Sequence, residues 1–308
     1  MKTNKLIQIF TLAFATAAFV NAQTPVTFNG GNLNSDASWT GGRPFIADDR
    51  IGTIDVDGIF NGNADGWSVT QTGGTLTLNA TRNVAGASVW TMTGGSIVPT
   101  TAGTEQFQLN NTAVFNLQGG SIENVGRLRI QADSIFNQSG GSINAVAGAQ
   151  TGEITGGNLG SAYNMTGGTA SFVTLNLNST ALNFSGGNFT LTNLGTNNIQ
   201  RLTIDGNANI SINSSTDIAQ GRFNFLNNWL PTGTGASLTV QGWGFSDFES
   251  VFTSGRIQYD SVIIDAATFA DTFQVSGSTL TVIPEPGTFA LLGIAGLALA
   301  VSQRRRRA

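Results

Sequence analysis

The chain has 308 residues, of which 40% are hydrophobic and 10% charged, and it contains neither histidine nor cysteine. This composition excludes Ser-His-Asp and Cys-His catalytic sites, zinc sites made from these ligands, and disulfide frameworks. Residues 23–283 hold eight arginines against seventeen acidic residues, a net charge of −9. Because nucleic-acid affinity depends on neutralising phosphates with basic side chains, we expect no nucleic-acid partner.

Residues 1–22 have the pattern of a signal peptide. Lys2 and Lys5 precede an apolar stretch over residues 6–20, and Val20-Asn21-Ala22 offers the small residue that signal peptidase needs. The sequence therefore predicts an exported chain with an N-terminal signal helix, cleaved by signal peptidase before Gln23.

Residues 23–50 are expected to form an N-terminal cap. The segment has a tryptophan, a glycine pair, a proline and two acidic residues: Trp39, Gly41-Gly42, Pro44 and Asp48-Asp49. In this order they resemble the starting segment of many bacterial surface β-solenoids. A solenoid needs such a cap because an open end exposes strand edges and core.

Residues 51–220 contain a repeat marked by paired glycines. The first glycines of six pairs are separated by 21, 25, 21, 27 and 19 residues, and they are Gly73, Gly94, Gly119, Gly140, Gly167 and Gly186. A unit of this length, recurring along the chain, is typical of a solenoid. Each glycine pair predicts a corner between two short strands, where glycine supplies a positive φ without steric cost.

The residues before each glycine pair alternate in polarity, as in a strand with one buried face. The fourth residue before the pair is apolar in five units, at Trp90, Phe115, Phe136, Tyr163 and Leu182. The residue that follows each of these is Thr or Asn, which should point to the other face and form stacked ladders of identical polar groups. An apolar residue returns after the glycines at Leu76, Ile97, Ile122, Ile143 and Phe189.

A second set of alternating segments, TLTL, QFQL, RLRI, TLNL and RLTI, is expected to supply a further strand to each unit. We therefore predict a mainly-β fold: a right-handed parallel β-helix of roughly seven coils with capping segments. A hairpin array or β-sandwich is the alternative, because alternation does not distinguish parallel from antiparallel pairing.

Residues 221–283 are expected to form a C-terminal capping β region with a short helix. Ser246 and Glu249 have capping-box spacing, Phe248 and Phe252 share a helical face, and Gly255 is a stop signal. Strands are predicted on either side of residue 270, in RIQYDSVII (256–264) and TFQVSGSTLTVI (272–283).

One acidic stretch is a candidate calcium site. Oxygen-bearing side chains alternate along residues 55–65, and the candidate ligands are Asp55, Asp57, Asn61, Asn63 and Asp65. NGNADG matches the front half of a calcium loop, but the glutamate expected at the twelfth position is replaced by Thr72. An Asn/Asp-rich turn is the alternative, and no other cofactor is expected.

No cluster of catalytic groups is visible in the sequence. The carboxylates of the repeat region are isolated among neutral residues, for example Asp133, Glu153, Asp205 and Asp217, and we expect them in solvated turns. The sequence therefore predicts no enzyme and no catalytic residue. Trp229 and Trp243 lie outside the repeat, where they either contact glycans or are buried in the cap.

The C-terminal residues 284–308 combine three features in order. Pro284-Glu285-Pro286 is followed by fifteen largely apolar residues, 288–302, and then by a basic cluster of Arg304, Arg305, Arg306 and Arg307. As a helix the apolar run would span about 22 Å, short of a bilayer core of about 30 Å, unless the arginines snorkel and the bilayer thins. The arginines should remain cytoplasmic and leave the body outside.

This arrangement resembles the PEP-CTERM sorting signal of Gram-negative bacteria. The resemblance implies cleavage near Pro-Glu-Pro by an exosortase, after transient tethering by a C-terminal transmembrane helix. We therefore expect an exported structural or adhesion-type protein of the cell surface or extracellular matrix. The alternative is a carbohydrate-binding or polysaccharide-lyase-like β-helix whose partner is an extracellular polysaccharide, since the fold also permits carboxylate-based chemistry.

Overall fold

A computed structural model describes residues 23–157, 160–192, 197–204, 208–212, 223–225, 229–231, 237–240, 242–255 and 262–283. The predicted signal peptide (1–22) and the sorting segment from Pro284 onward, with its predicted transmembrane helix, lie outside the described residues. Among the helices that are described, none has the length and apolar character needed to cross a membrane.

The described body is a parallel β-solenoid with about seven turns in the repeat region and further turns at both ends, and nearly every turn contributes a strand to each of three faces. The first face contains the strands before the glycine pairs: β1 (Thr24–Phe28), β4 (Arg50–Ile54), β7 (Ser68–Gln71), β10 (Val89–Met92), β13 (Val114–Leu117), β16 (Ile135–Gln138), parts of β19 (Ala162–Phe172), β20 (Thr174–Leu191) and β21 (Asn197–Ile204), and β24 (Trp229–Pro231).

The second face contains the strands after the glycine pairs: β2 (Gly31–Asn32), β5 (Gly58–Phe60), β8 (Thr75–Leu78), β11 (Ser96–Pro99), β14 (Ser121–Val125), β17 (Ser142–Ala145), the ends of β19 and β20, β22 (Asn209–Ile212) and β25 (Ser237–Val240). The third face closes each turn and contains β6 (Ala64–Asp65), β9 (Arg82–Ala85), β12 (Gln106–Leu109), β15 (Arg127–Ile130), β18 (Glu153–Gly156), the starts of β20 and β21, and β23 (Phe223–Phe225). The parallel solenoid is confirmed over the hairpin array and the sandwich.

The predicted aromatic column runs through the core of the first face. Trp90, Phe115, Phe136, Tyr163 and Leu182 are strand partners of one another in successive turns, and all are buried. Ring centroids lie 6.2 Å apart for Trp90 and Phe115, and 5.1 Å apart for Phe115 and Phe136. Stacking at these distances adds to the hydrophobic gain from burial, so the column is a main source of stability along the solenoid axis.

The two glycines of each corner have different roles. The second glycine has a positive φ, for example +73° at Gly95 and +63° at Gly141, as predicted. The first glycine does not, and it is required by close stacking instead: a Cβ on Gly140 would lie 2.2 Å from the backbone oxygen of Gln118 in the turn beneath. The prediction of positive φ is therefore correct for one member of the pair only.

The second set of alternating segments was expected to supply a further strand to each unit, and this expectation is correct for three of the five segments. QFQL, RLRI and TLNL do lie on the third face, in β12, β15 and the start of β20. TLTL, however, is β8 on the second face, and RLTI pairs with residues 181–184 on the first face. Alternation identifies a half-buried strand but carries no information about which face of a three-sided coil the strand occupies.

Gln138 is a buried polar side chain in the aromatic core. It lies at a position filled by Leu117 and Met165 in the neighbouring turns, yet it is only 1% exposed. The Tyr163 hydroxyl donates to its Oε1 atom, and its Nε2 atom donates to the Thr169 carbonyl oxygen at 2.9 Å. Burial raises the pKa of Tyr163, so the phenol stays a proton donor. The amide is tolerated because its partners satisfy it.

Residues 23–50 add a first coil to the solenoid and cover its N-terminal end. β1 pairs in parallel with β4, so this segment forms a first coil, while β3 (Trp39–Thr40) pairs antiparallel with the end of β1. Trp39 is buried between Phe28 and Trp67, and its Nε1 atom donates to the Leu33 carbonyl oxygen at 2.7 Å. The tryptophan therefore covers the start of the core.

The C-terminal end of the ladder is closed by two helices and a hairpin. α1 (Phe245–Thr253) buries Phe248, Val251 and Phe252 and is followed by Gly255 at φ +73°, as predicted. It begins before Ser246: the N-cap is Gly244, whose N–H donates to the Asp247 carboxylate at 2.8 Å. The predicted capping box on Ser246 was therefore wrong, because Asp247 is the side chain placed to reach the free backbone donor.

α2 (Ala266–Thr272) was not predicted. Asp265 caps it by accepting from the Thr268 N–H at 2.8 Å, and this hydrogen bond lowers the pKa of Asp265. Residues 262–264, the described part of a predicted strand, lie outside the strands. The last predicted segment forms a hairpin of β26 (Phe273–Ser276) and β27 (Thr279–Val282), and β27 pairs antiparallel with β25.

Candidate functional site

The outward surface of the first face carries three neutral columns. They run through five successive turns on β10, β13, β16, β19 and β20. We call them together the neutral strip: an apolar column of Val89, Val114, Ile135 and Ala162, an amide column of Asn116, Asn137, Asn164 and Asn183, and an exposed edge column of Thr93, Gln118, Ser139 and Thr166. None of these side chains is charged.

The amide column is a continuous ladder of hydrogen bonds, as predicted for stacked polar groups. Each asparagine after Asn116 donates from Nδ2 to the Oδ1 atom of the asparagine one turn earlier, over 2.8 Å from Asn183 to Asn164, 2.8 Å from Asn164 to Asn137 and 2.9 Å from Asn137 to Asn116. Neighbouring amides are therefore held at the strand spacing of about 4.8 Å. The strip is a rigid, regularly spaced surface.

The five calcium candidates are spread along the second turn, from the corner after β4 to β6. Asp55 and Asp57 lie at the corner between β4 and β5, where Asp57 Oδ1 accepts from the Thr75 N–H at 2.7 Å. Asn61 and Asn63 lie at the next corner, and Asp65 belongs to β6 on the third face. Within the described part of the chain no three acidic side chains come together as a metal site. The calcium hypothesis stays a prediction.

A shallow depression of about 480 Å³ lies over the outer surface of the second face near Asp57. It is lined by Gly31, Asp57, Gly58, Ile59, Thr75 and Thr77. It offers one carboxylate, two hydroxyls and one exposed apolar side chain.

Of the four isolated carboxylates, one has an environment that the sequence did not reveal. Glu153 was expected in a solvated turn, but it lies in β18, is 9% exposed and forms an ion pair with Arg127 one turn earlier. Asp133 lies at a corner with φ +64°, and Asp205 and Asp217 lie outside the described residues. The register of β15 and β18 creates the Arg127–Glu153 pair, and a repeat alignment of these third-face strands would have found it.

Of the two tryptophans outside the repeat, the structure describes the side chain of Trp243. Trp243 is 5% exposed and packs against Phe248 with ring centroids 4.9 Å apart, so it belongs to the core of the cap. The side chain of Trp229 lies outside the described residues.

Residues 282–307 match a family model described as the PEP-CTERM protein-sorting motif. The chain carries a PEP-CTERM sorting motif. The match contains Pro284-Glu285-Pro286 and the cluster of Arg304, Arg305, Arg306 and Arg307. The motif implies export, sorting to the cell envelope or surface, and processing by an exosortase. No curated protein and no solved structure matches the chain.

The PEP-CTERM motif begins where the described body ends. Its first residue, Val282, is the last residue of β27, and the Ile283 N–H donates to the Thr272 carbonyl oxygen at 2.8 Å. The residues that identify the motif, from Pro284 onward, lie outside the described residues.

Proposed function

We propose that the protein is a structural or adhesion-type component of the cell surface or extracellular matrix, with no catalytic step. The PEP-CTERM motif supports delivery to the envelope, and the observation that carries the proposal is the asparagine ladder over four successive turns of the first face. A ladder of this kind presents one repeated, rigid surface instead of a single pocket. Such a surface suits a protein that contacts its partner along an extended face.

The proposal includes the path by which the body arrives. A signal peptide over residues 1–22 directs export, and residues 288–302 hold the chain in the membrane until an exosortase cuts near Pro284-Glu285-Pro286. Arg304, Arg305, Arg306 and Arg307 act as the cytoplasmic stop. The apolar run is short for a bilayer, which suits a segment that is held briefly and then removed.

Deletion of residues 284–308 is expected to change where the protein accumulates and to leave the body folded. The reason is that residues 284–308 follow β27, so their removal breaks no described ladder contact. The measurement is fractionation of the producing cells into membrane, surface and medium, together with thermal melting of the purified chains. The proposed route fails if full-length and truncated proteins are distributed equally.

The matched control replaces Arg304, Arg305, Arg306 and Arg307 by lysine. This variant keeps the positive charge that the stop requires, so we expect the distribution of the wild type.

The alternative function, a lyase-like β-helix, has a separate test on acidic polysaccharides. Clear turnover by the purified chain would contradict the non-catalytic proposal.

A further inference from the structure

We propose that the neutral strip binds an uncharged polysaccharide chain lying along the solenoid axis. This inference rests on the proposed surface function and deepens it by naming the class of partner. It is argued from the hydrogen-bonding capacity, the charge and the dimensions of the strip.

The amide column keeps hydrogen-bonding capacity after the ladder is formed. A primary amide has two N–H donors and a carbonyl oxygen with two lone pairs. Asn137 and Asn164 each use one donor and one acceptor within the ladder, so each retains one N–H and one lone pair. The strip therefore offers donor and acceptor together at every turn, which is the combination that sugar hydroxyls need.

The columns on either side of the amides give the strip an apolar side and a polar side. Val89 is 38% exposed on the apolar side, and Val114 and Ile135 are partly exposed in the same column. Gln118 and Ser139 are exposed on the polar side. A pyranose ring has an apolar C–H surface and a hydroxyl edge, so it can contact the apolar column while its hydroxyls bond the amides.

Charge favours an uncharged partner. The body carries a net charge of −9 over residues 23–283, and the strip contains no cation to hold a carboxylate or sulfate. Arg127 and Arg129, which could attract an anionic chain, lie on the third face. A polyanion would gain nothing on the strip and would be repelled by the body as a whole.

The dimensions favour a single chain over a second copy of the protein. The three columns together span about 13 Å across the strands and about 19 Å along the axis. Two such strips placed face to face would bury on the order of 500 Å², well below the 1,200 Å² or more of a stable interface. One extended polysaccharide chain fits the same area.

The test is affinity electrophoresis of the full-length protein in mild detergent, in native gels containing dextran, mixed-linkage β-glucan or alginate. We expect retardation by at least one of the two uncharged glucans and none by the anionic alginate. Asn137→Asp, which places a carboxylate at the centre of the strip and removes a ladder donor, should weaken binding roughly tenfold. Asn144→Asp is the matched control, since it makes the same change in the same turn at an exposed position of the second face.

A second variant, Ile135→Thr, removes part of the apolar column and leaves the ladder intact, so it keeps the test valid if Asn137→Asp lowers the melting temperature. The proposal is overturned if neither glucan retards the protein, if Asn144→Asp weakens binding as much as Asn137→Asp, or if alginate alone binds. Light scattering that shows a dimer blocked by Asn137→Asp would also overturn it. If neither glucan binds but fractionation still depends on the tail, only this inference fails. If a glucan binds but full-length and truncated proteins are distributed equally, only the proposed sorting route fails.

Discussion

Replacing Gly95 by alanine is expected to lower the free energy of unfolding by about 4 kcal/mol. Gly95 has φ +73°, and a Cβ at this position would lie 2.3 Å from the Gly73 backbone oxygen and 2.4 Å from the Gly74 backbone oxygen in the turn beneath. Neither atom belongs to a side chain that could rotate away. The two turns would have to separate locally, which disturbs the ladder on both sides of the corner.

Gly66→Ala is the matched control for backbone strain. Gly66 has a similar φ of +69°, but nothing lies within 4 Å of an added Cβ. It should therefore cost only the left-handed conformation itself, about 1 kcal/mol. Chemical denaturation of both variants measures the difference. Equal losses would show that the close approach of stacked turns contributes nothing to the requirement for glycine.

Phe115→Ala is expected to cost about 4 kcal/mol, because it empties the centre of the aromatic column. Phe115 is fully buried and contacts three aromatic rings, with centroids 5.1 Å away at Phe107, 5.1 Å at Phe136 and 6.2 Å at Trp90. These rings are fixed by their own strands, so the cavity cannot collapse.

Phe115→Leu is the control that keeps most of the volume and should cost about 1.5 kcal/mol. Denaturant midpoints of the two variants provide the comparison. A Phe115→Ala protein as stable as the wild type would mean that the aromatic column does not contribute to the stability of the solenoid.

The repeat allowed much of the fold to be predicted from the sequence. Each glycine pair marks a corner, and the fixed distance from Phe115 or Phe136 to its corner places both rings in one register. The Asn that follows each ring points outward by strand alternation, so the amide ladder could be predicted as well. These predictions succeed because the same local pattern recurs and stacking multiplies it.

What the sequence could not reveal depends on contacts between different faces or segments. TLTL and RLTI have the same alternation as third-face strands, yet they occupy other faces, since connection lengths between corners vary. The burial of Glu153 follows from its pairing with Arg127, and that pair needs the exact register of β15 and β18. The short helix α2 was missed because its seven residues contain a single buried apolar side chain, Phe269.

The most direct test of the central claim is the intact mass of the protein recovered from the surface of the producing cells. The claim is that the delivered product is the solenoid, with the sorting motif left behind. We predict a mass that corresponds to a chain starting at Gln23 and ending close to Pro284-Glu285-Pro286. A surface form that retains Arg304, Arg305, Arg306 and Arg307 would contradict it.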